Sequence, residues 1–340
     1  MKKITVIVLS TILMISSILT GCTNTKNKED DKNKTSLKKD KLHIVTTLFP
    51  QYDFVKQIAG DKADVKLLLS PGQDSHSFEP TPEDIIAIQN ADVFIYNGGE
   101  AEAWIDKVID SIDTKKVNII KMMDYVKAVK EEEVEGMEPE DEHDHEKEEL
   151  EQNGENNNQD HEDEEEYDEH IWTSPKNAIR MVEGIKDTLV KVDNINSKGY
   201  NTNYEKYIKE LEKLDKLLID TVSKAKRKML VFGDKFPFRY LVDDYGLTYR
   251  AAFNGCSTQT EPSIETVTYL INKVKENKIP AIYHIEMSNK KIAKTISEET
   301  GAKVLLLHSA HNVTKEEFNK GITYIDIMNN NITNLKEGLE

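Results

Sequence analysis

Short apolar runs rich in Val, Ile and Tyr alternate along the chain with helical patterns of hydrophobic residues. This alternation is typical of α/β proteins, in which helices connect the strands of a parallel sheet. The chain therefore predicts two lobes, each a parallel-sheet (β/α)4 unit. The predicted strands are 43–48, 65–70, 92–98 and 117–122 in the first half, and 228–233, 247–253, 279–286 and 302–309 in the second.

Helical patterns lie between these strands, at 51–59, 81–90 and 102–112 in the first half and at 238–245, 263–277, 289–300 and 324–339 in the second. One longer pattern, 203–225, has apolar residues at three- and four-residue spacing with no Gly or Pro. At 1.5 Å per residue it would reach roughly 33 Å, about the width of a small domain. We predict a rigid linking helix (201–227) between a first lobe (42–200) and a second (228–340); an ordinary surface helix is the alternative.

The N-terminus has the pattern of a secretory signal, with a basic start, an apolar stretch and the ending Leu-Thr-Gly-Cys at Cys22. That ending resembles the bacterial lipobox, which implies lipidation of Cys22 as the mature first residue. A plain signal peptide with an incidental cysteine is the alternative. Residues 23–41 are polar and lack periodicity, so we expect a flexible tether and an extracytoplasmic protein anchored to the cell membrane.

Charge is concentrated in one place. Residues 131–170 contain 22 acidic residues and one lysine, while the whole chain has a net charge of −17, so the rest is slightly positive. Three histidines lie within this run, His143, His145 and His161, and His170 ends it. Imidazole interleaved with carboxylate favours divalent transition metals. We therefore predict a disordered, metal-attracting acidic loop over 129–169; a solvated insertion with incidental histidines is the alternative.

Potential metal ligands follow several predicted strands. Open α/β sheets bind ligands at the carboxyl ends of their strands, and a cleft between two lobes would gather these residues. A site of nitrogen and carboxylate donors suits zinc, with manganese or iron as rivals. The candidates are His76, His170, Asp234, Glu286 and His308. The role of His311, three residues after His308, is left open.

Several ordered motifs from residue 42 onward resemble the zinc and manganese solute-binding lipoproteins of bacterial ABC importers. They include the loop from Pro71 to Pro80 with His-Ser-Phe-Glu-Pro at its end, Tyr96-Asn97-Gly98-Gly99, His170-Ile171-Trp172-Thr173-Ser174-Pro175, Tyr245-Gly246-Leu247, Glu261-Pro262-Ser263 and residues 298–303. The resemblance implies a receptor that captures Zn²⁺, or Mn²⁺, between two lobes. It also implies an importer permease and its ATPase as partners. We expect a monomer, with no role in catalysis.

The resemblance implies His76 and His170 as ligands from the first lobe and His308 as one from the second. Where this family has its third ligand, the chain has Lys235, whose ammonium has no lone pair to donate. Asp234 is the preferred substitute, ahead of Glu286 and then Cys256, with water as the other way to complete a tetrahedron. The role of Cys256 is otherwise open. Three histidines favour zinc over a harder cation.

Other functions have less support. The chain lacks the His-Glu-x-x-His helix of zinc proteases, the Gly-x-Ser-x-Gly elbow, a phosphate-binding loop and a basic stripe for nucleic acid. A secreted zinc metallohydrolase with Glu286 as base remains a minor alternative, as does an adhesin with a structural metal.

Overall fold

The computed structural model describes residues 41–73, 75, 78–139, 167–257, 259 and 261–340. Cys22, His76 and the loop histidines His143, His145 and His161 lie outside the described residues. Within these ranges, none of the helices is both long and apolar enough to cross a lipid bilayer.

Two four-stranded sheets form the lobes, and every pair of neighbouring strands is parallel. The first sheet has the order β2-β1-β3-β4 and the second the order β6-β5-β7-β8. The strands are β1 Leu42–Thr46, β2 Ala63–Leu67, β3 Val93–Tyr96, β4 Asn118–Lys121, β5 Met229–Phe236, β6 Thr248–Asn254, β7 Ala281–His284 and β8 Lys303–Leu306. The predicted α/β class with two parallel sheets is confirmed.

Ten α-helices accompany the strands in the described part of the chain. They are α1 Phe49–Ala59, α2 Pro82–Gln89, α3 Trp104–Ser111, α4 Pro175–Val192, α5 Ser197–Lys224, α6 Arg239–Tyr245, α7 Ile264–Asn277, α8 Lys291–Thr300, α9 Lys315–Lys320 and α10 Tyr324–Leu339. The sequence reading did not include α4. Its start has a clear signal, because Ser174 caps the helix by accepting from the Lys176 N–H and Pro175 occupies the first helical position.

Each sheet is covered on both faces, which explains why its strands are almost continuously apolar. Helices α2 and α3 form a separate core with the outer face of the first sheet. Helices α7 and α8 do the same for the second sheet. One large core lies between the sheets and contains residues of α1, α4, α5 and α10. The lobes therefore share a hydrophobic interior.

Helix α5 is the predicted linking helix, and it begins four residues before the predicted start at residue 201. Its 28 residues correspond to roughly 42 Å. Its apolar stripe, which includes Tyr207, Leu211 and Leu218, is buried in the shared core. It packs against α1 and α4 of the first lobe and against the C-terminal helix α10. The helix is therefore a buried spine as well as a connection.

A buried carboxylate joins three of these helices. Asp53 of α1 accepts a hydrogen bond from the backbone N–H of Tyr324, the first residue of α10, at 3.0 Å. The Tyr207 hydroxyl of α5 donates to the same oxygen at 3.4 Å. Burial raises the pKa of Asp53 to about 6, although these donors oppose the rise. The carboxylate thus holds the start of α10 against the first lobe.

Strand β5 continues three residues beyond its predicted end at Gly233. Its pairing with β6 shifts register between Phe232 and Lys235, as in a β-bulge. Gly233 lies directly beneath α8, since a Cβ built on it would come within 2.6 Å of the Ala293 backbone. The bulge places Asp234 and Lys235 inside the strand rather than after it.

We expect Gly233→Ala to destabilise the protein by about 1–3 kcal/mol, because the added methyl group would force α8 away from the sheet. Gly199→Ala is the matched control, since a Cβ at Gly199 in α5 meets no atom within 4 Å. The control should be neutral or stabilising by up to about 1 kcal/mol. Urea unfolding of both variants measures the difference, and equal stability of the two would contradict the close packing of α8 on β5.

Candidate metal centre

A cavity of about 300 Å³ lies where segments at the carboxyl ends of strands from both sheets come together. Most of its lining residues follow a strand or end one, as expected for open parallel sheets. From the first lobe come Gln73, Ser75 and His170. From the second come Gly233, Asp234, Lys235, Pro237, Phe253, Gly255, Gln259, Ile285, Glu286, Met287, Ser288, Asn289, Ile292, Ser309, His311 and Asn312.

Among the described residues, His170 is the histidine that the first lobe contributes to the cavity, and it is 1% exposed. Its Nδ1 lies 3.3 Å from Oδ1 of Asp168, which also accepts the His170 backbone N–H at 2.8 Å. A carboxylate at Nδ1 orients an imidazole and leaves Nε2 as the nitrogen for a metal. Burial lowers the pKa of the imidazole, but the carboxylates of Asp168, Glu169 and Glu131 together outweigh burial, and the pKa is raised. Metal binding here therefore displaces a more firmly held proton.

His311 is the cavity histidine of the second lobe. Its ring contacts His170 edge to face, with 5.4 Å between the centroids. Trp172 contacts both rings, at 5.6 Å from His170 and 5.1 Å from His311. The indole N–H of Trp172 donates to the Ser309 carbonyl at 2.8 Å, which fixes the ring against the second lobe. The structure thus brings one imidazole from each lobe to the same cavity.

The loop that carries His76 is attached to the segment that carries His311. Asn312 donates through Nδ2 to the carbonyls of Ser70 and Gln73, both at 2.8 Å. The Gly72 N–H donates to the Val313 carbonyl, also at 2.8 Å. Gln73 and Ser75 line the cavity. His76 itself is outside the described residues, but the positions just before it face the site.

His308 is buried but does not line the cavity. Its Nδ1 accepts the Ala310 backbone N–H at 2.9 Å, so in the neutral ring the proton is on Nε2. That Nε2 is buried and, among the described residues, has no hydrogen-bond partner. In this tautomer Nε2 presents a hydrogen rather than the lone pair that a metal requires.

The two cavity carboxylates are engaged by hydrogen-bond donors. Asp234 accepts from the Lys235 N–H at 2.9 Å and from the Ile285 N–H at 3.3 Å. Burial raises the pKa of Asp234, so its negative charge is already difficult to maintain. Glu286 accepts the Ser309 N–H at 2.7 Å and also the Ser309 hydroxyl. Both carboxylates therefore line the cavity and also fix the backbone segments around it by accepting their N–H groups.

Lys235 and Cys256 differ in their relation to the cavity. Lys235 lines it and is half-buried. Cys256 is a free cysteine that does not line it. Burial and the nearby carboxylates of Glu131 and Glu169 raise the pKa of the Cys256 thiol well above its ordinary value. The thiolate that a metal would need is therefore disfavoured.

Both described ends of the acidic run are attached to the structure. Lys130 and Tyr167 form an isolated antiparallel bridge, which brings the ends together. The first end runs along the edge strand β6, where the Glu138 N–H donates to the Ala252 carbonyl at 2.9 Å. The second end leads through Asp168 directly into His170. The acidic run thus begins and ends beside the cavity.

In the described part of the chain, no three His, Cys, Asp or Glu side chains are close enough together to hold a metal ion. The paired imidazoles of His170 and His311 are the strongest feature of the site. Sequence reasoning placed His170 there and left His311 open. The available signal was the position of His311, which lies just past the end of the predicted strand 302–309.

Comparison with known proteins is consistent with this geometry. The sequence profile of the family "Zinc-uptake complex component A periplasmic" matches residues 44–338. The chain is 37% identical over 322 residues to the high-affinity zinc uptake system protein ZnuA of Bacillus subtilis (strain 168), covering 94% of this chain and 92% of the relative.

A second relative is the zinc-binding lipoprotein AdcA of Streptococcus pneumoniae (strain ATCC BAA-255 / R6), 35% identical over 340 residues. The match covers 99% of this chain, which spans only 61% of that relative's length. The crystal structure of the Zn(II)-bound ZnuA-like domain of Streptococcus pneumoniae AdcA is similar with a TM-score of 0.70 and 34% identity, covering 88% of this chain and 99% of the domain. Since the profile matches nearly all of both lobes, the chain belongs to the periplasmic zinc-uptake complex component A family.

Proposed function

We propose that this protein is an extracytoplasmic receptor that captures Zn²⁺ in the cavity between its lobes and delivers it to an ABC importer. The observation that carries the proposal is the pair of imidazoles, one from each lobe, at 5.4 Å between centroids. Nitrogen donors favour zinc over manganese, which prefers oxygen. The printed names of the relatives, a zinc uptake protein and a zinc-binding lipoprotein, support the same cargo.

The proposed ligands are His76, His170 and His311, with Asp234 the preferred protein candidate for the fourth position. His311 takes the place first given to His308, because it lines the cavity and contacts His170. Glu286 has the smaller role of supporting the turn at Ser309. This arrangement would allow zinc to bridge the lobes, so that the loaded and empty receptors differ in shape at the face that an importer contacts.

The acidic run and the N-terminus complete the proposal. A loop rich in carboxylate and imidazole (His143, His145 and His161) would raise the local zinc concentration. It would then pass zinc to His170, which follows the end of the loop. A lipid on Cys22 would hold the receptor at the membrane surface, within reach of the permease and its ATPase. No step of this proposed function makes or breaks a covalent bond in a substrate, so we assign no enzymatic activity.

His170→Ala and His311→Ala should each weaken zinc binding by at least about 100-fold, since losing a direct ligand exceeds the 10–100-fold effect of losing its supporting partner. His308→Asn is the matched control, because an Asn oxygen can still accept the Ala310 N–H while Nε2 is removed. Competition with a zinc-binding dye measures all three. Loss of affinity in His308→Asn with retention in His311→Ala would return the ligand role to His308.

Asp168→Asn should weaken zinc binding by about 10–100-fold while leaving the site intact, because the amide cannot support the His170 imidazole as a carboxylate does. Asp243→Asn is the control, as that carboxylate pairs with Arg239 on α6 instead. Zinc affinity should also depend less on pH in Asp168→Asn, since Asp168 raises the pKa of His170. An unchanged affinity and pH profile would argue against the orienting role.

Removal of residues 141–165 should leave one tight zinc site and eliminate weaker ones. The reason is that the proposed cavity ligands lie outside this segment, whereas His143, His145 and His161 lie inside it. Calorimetry of the full chain and the deletion variant gives the number of sites and their affinities. Loss of the tight site on deletion would refute the proposed division between loop and cavity.

A further inference from the structure

The cavity that we propose for zinc is lined by a positively charged side chain, that of Lys235. Lys235 lines the cavity, is half-buried, and forms no ion pair with any described residue within 4.0 Å. The carboxylates nearest in the cavity wall, Asp234 and Glu286, are occupied by backbone and hydroxyl donors. A positive charge near a bare divalent cation is electrostatically unfavourable. The ammonium is therefore available to pair with an anion that enters the cavity.

The fourth position of the proposed zinc site is open to a donor from outside the protein, because Asp234 already accepts the Lys235 and Ile285 N–H groups. Zinc in proteins is usually tetrahedral, and a site with fewer than four protein ligands takes the remainder from solvent or a bound molecule. The described residues bring two imidazoles, His170 and His311, to the cavity, and no three metal-binding side chains converge there. An exogenous donor to the ion is therefore compatible with this cavity.

The size and lining of the cavity suit more than an ion. A volume of about 300 Å³ lies at the lower end of the range for small-molecule sites, and a water molecule occupies only about 30 Å³. Its wall includes amide and hydroxyl side chains that can hydrogen-bond to an organic ligand. These are Gln73, Gln259, Ser288 and Asn289.

We propose that the cavity takes zinc together with a small carboxylate-bearing chelator, such as an amino acid or a hydroxy acid. The chelator donates to the ion, while its carboxylate pairs with the Lys235 ammonium. The pairing offsets the repulsion between Lys235 and zinc and fills the cavity volume. The inference rests on the proposed zinc-receptor function and specifies the chemical form of its cargo.

The test titrates zinc-loaded full-length protein with L-histidine or with citrate by calorimetry, and identifies the product by native mass spectrometry. We expect one of the two to bind in a 1:1:1 complex of protein, zinc and chelator. Lys235→Met should weaken chelator binding about tenfold, the size of a charge-assisted contact, while making binding of zinc alone tighter because the repulsion is removed. Lys235→Arg should retain most of the chelator affinity.

Lys294→Met is the control, since Lys294 is an exposed residue of α8 outside the cavity. The acidic loop is identical in all variants, so a difference between them reports on the cavity. Removal of zinc by the chelator without a ternary complex, or equal chelator affinity in wild type and Lys235→Met, would overturn the inference and leave the receptor function standing. A further titration uses zinc mixed beforehand with L-histidine or citrate. If the protein binds neither zinc alone nor these zinc–chelator complexes, both the receptor function and this inference fail. Binding of the premixed complex but not of zinc alone would support the inference.

Discussion

The cavity depends on the attachment of the segment after β8 to the first lobe. Trp172 donates from the first lobe to the Ser309 carbonyl, and the Tyr324 hydroxyl at the start of α10 donates back to the Trp172 carbonyl. Asn312 binds two carbonyls of the loop after β2. These contacts come from residues far apart in sequence, and they place His311 against His170. Without them nothing would hold these two imidazoles, one from each lobe, against each other.

The shared hydrophobic core makes this attachment rigid. Helix α5 packs on α1, α4 and α10, so the lobes are joined along a buried helix rather than by a flexible linker. Asp53 adds a polar contact between α1 and α10 at the same interface. A receptor built in this way is expected to change shape by small shifts of its loops and lobes, because a packed core resists large hinge motion.

The acidic run and the cavity differ in charge, and the difference suits them to two tasks, attracting cations and selecting among them. The acidic run contains 22 of the 62 acidic residues of the chain with only one lysine, and it begins and ends beside His170. The cavity combines imidazoles, two engaged carboxylates and the ammonium of Lys235. A strongly negative loop attracts cations with little selectivity, whereas a cavity of mixed charge discriminates by geometry and by the charge of the whole bound species.

The sequence by itself determined the two parallel sheets, the linking helix and the position of His170, because hydrophobic periodicity and strand-end placement are local properties. It missed α4 despite the Ser174-Pro175 start, and it ended β5 too early because a β-bulge leaves little trace in the pattern. The difference between His308 and His311 is visible only in the tertiary structure, where His311 lines the cavity and His308 does not. That difference depends on a turn in which the Ala310 N–H occupies Nδ1 of His308, and on the docking of Asn312 across the lobes. The Asn312 contacts join segments far apart in sequence, so no spacing along the chain encodes them.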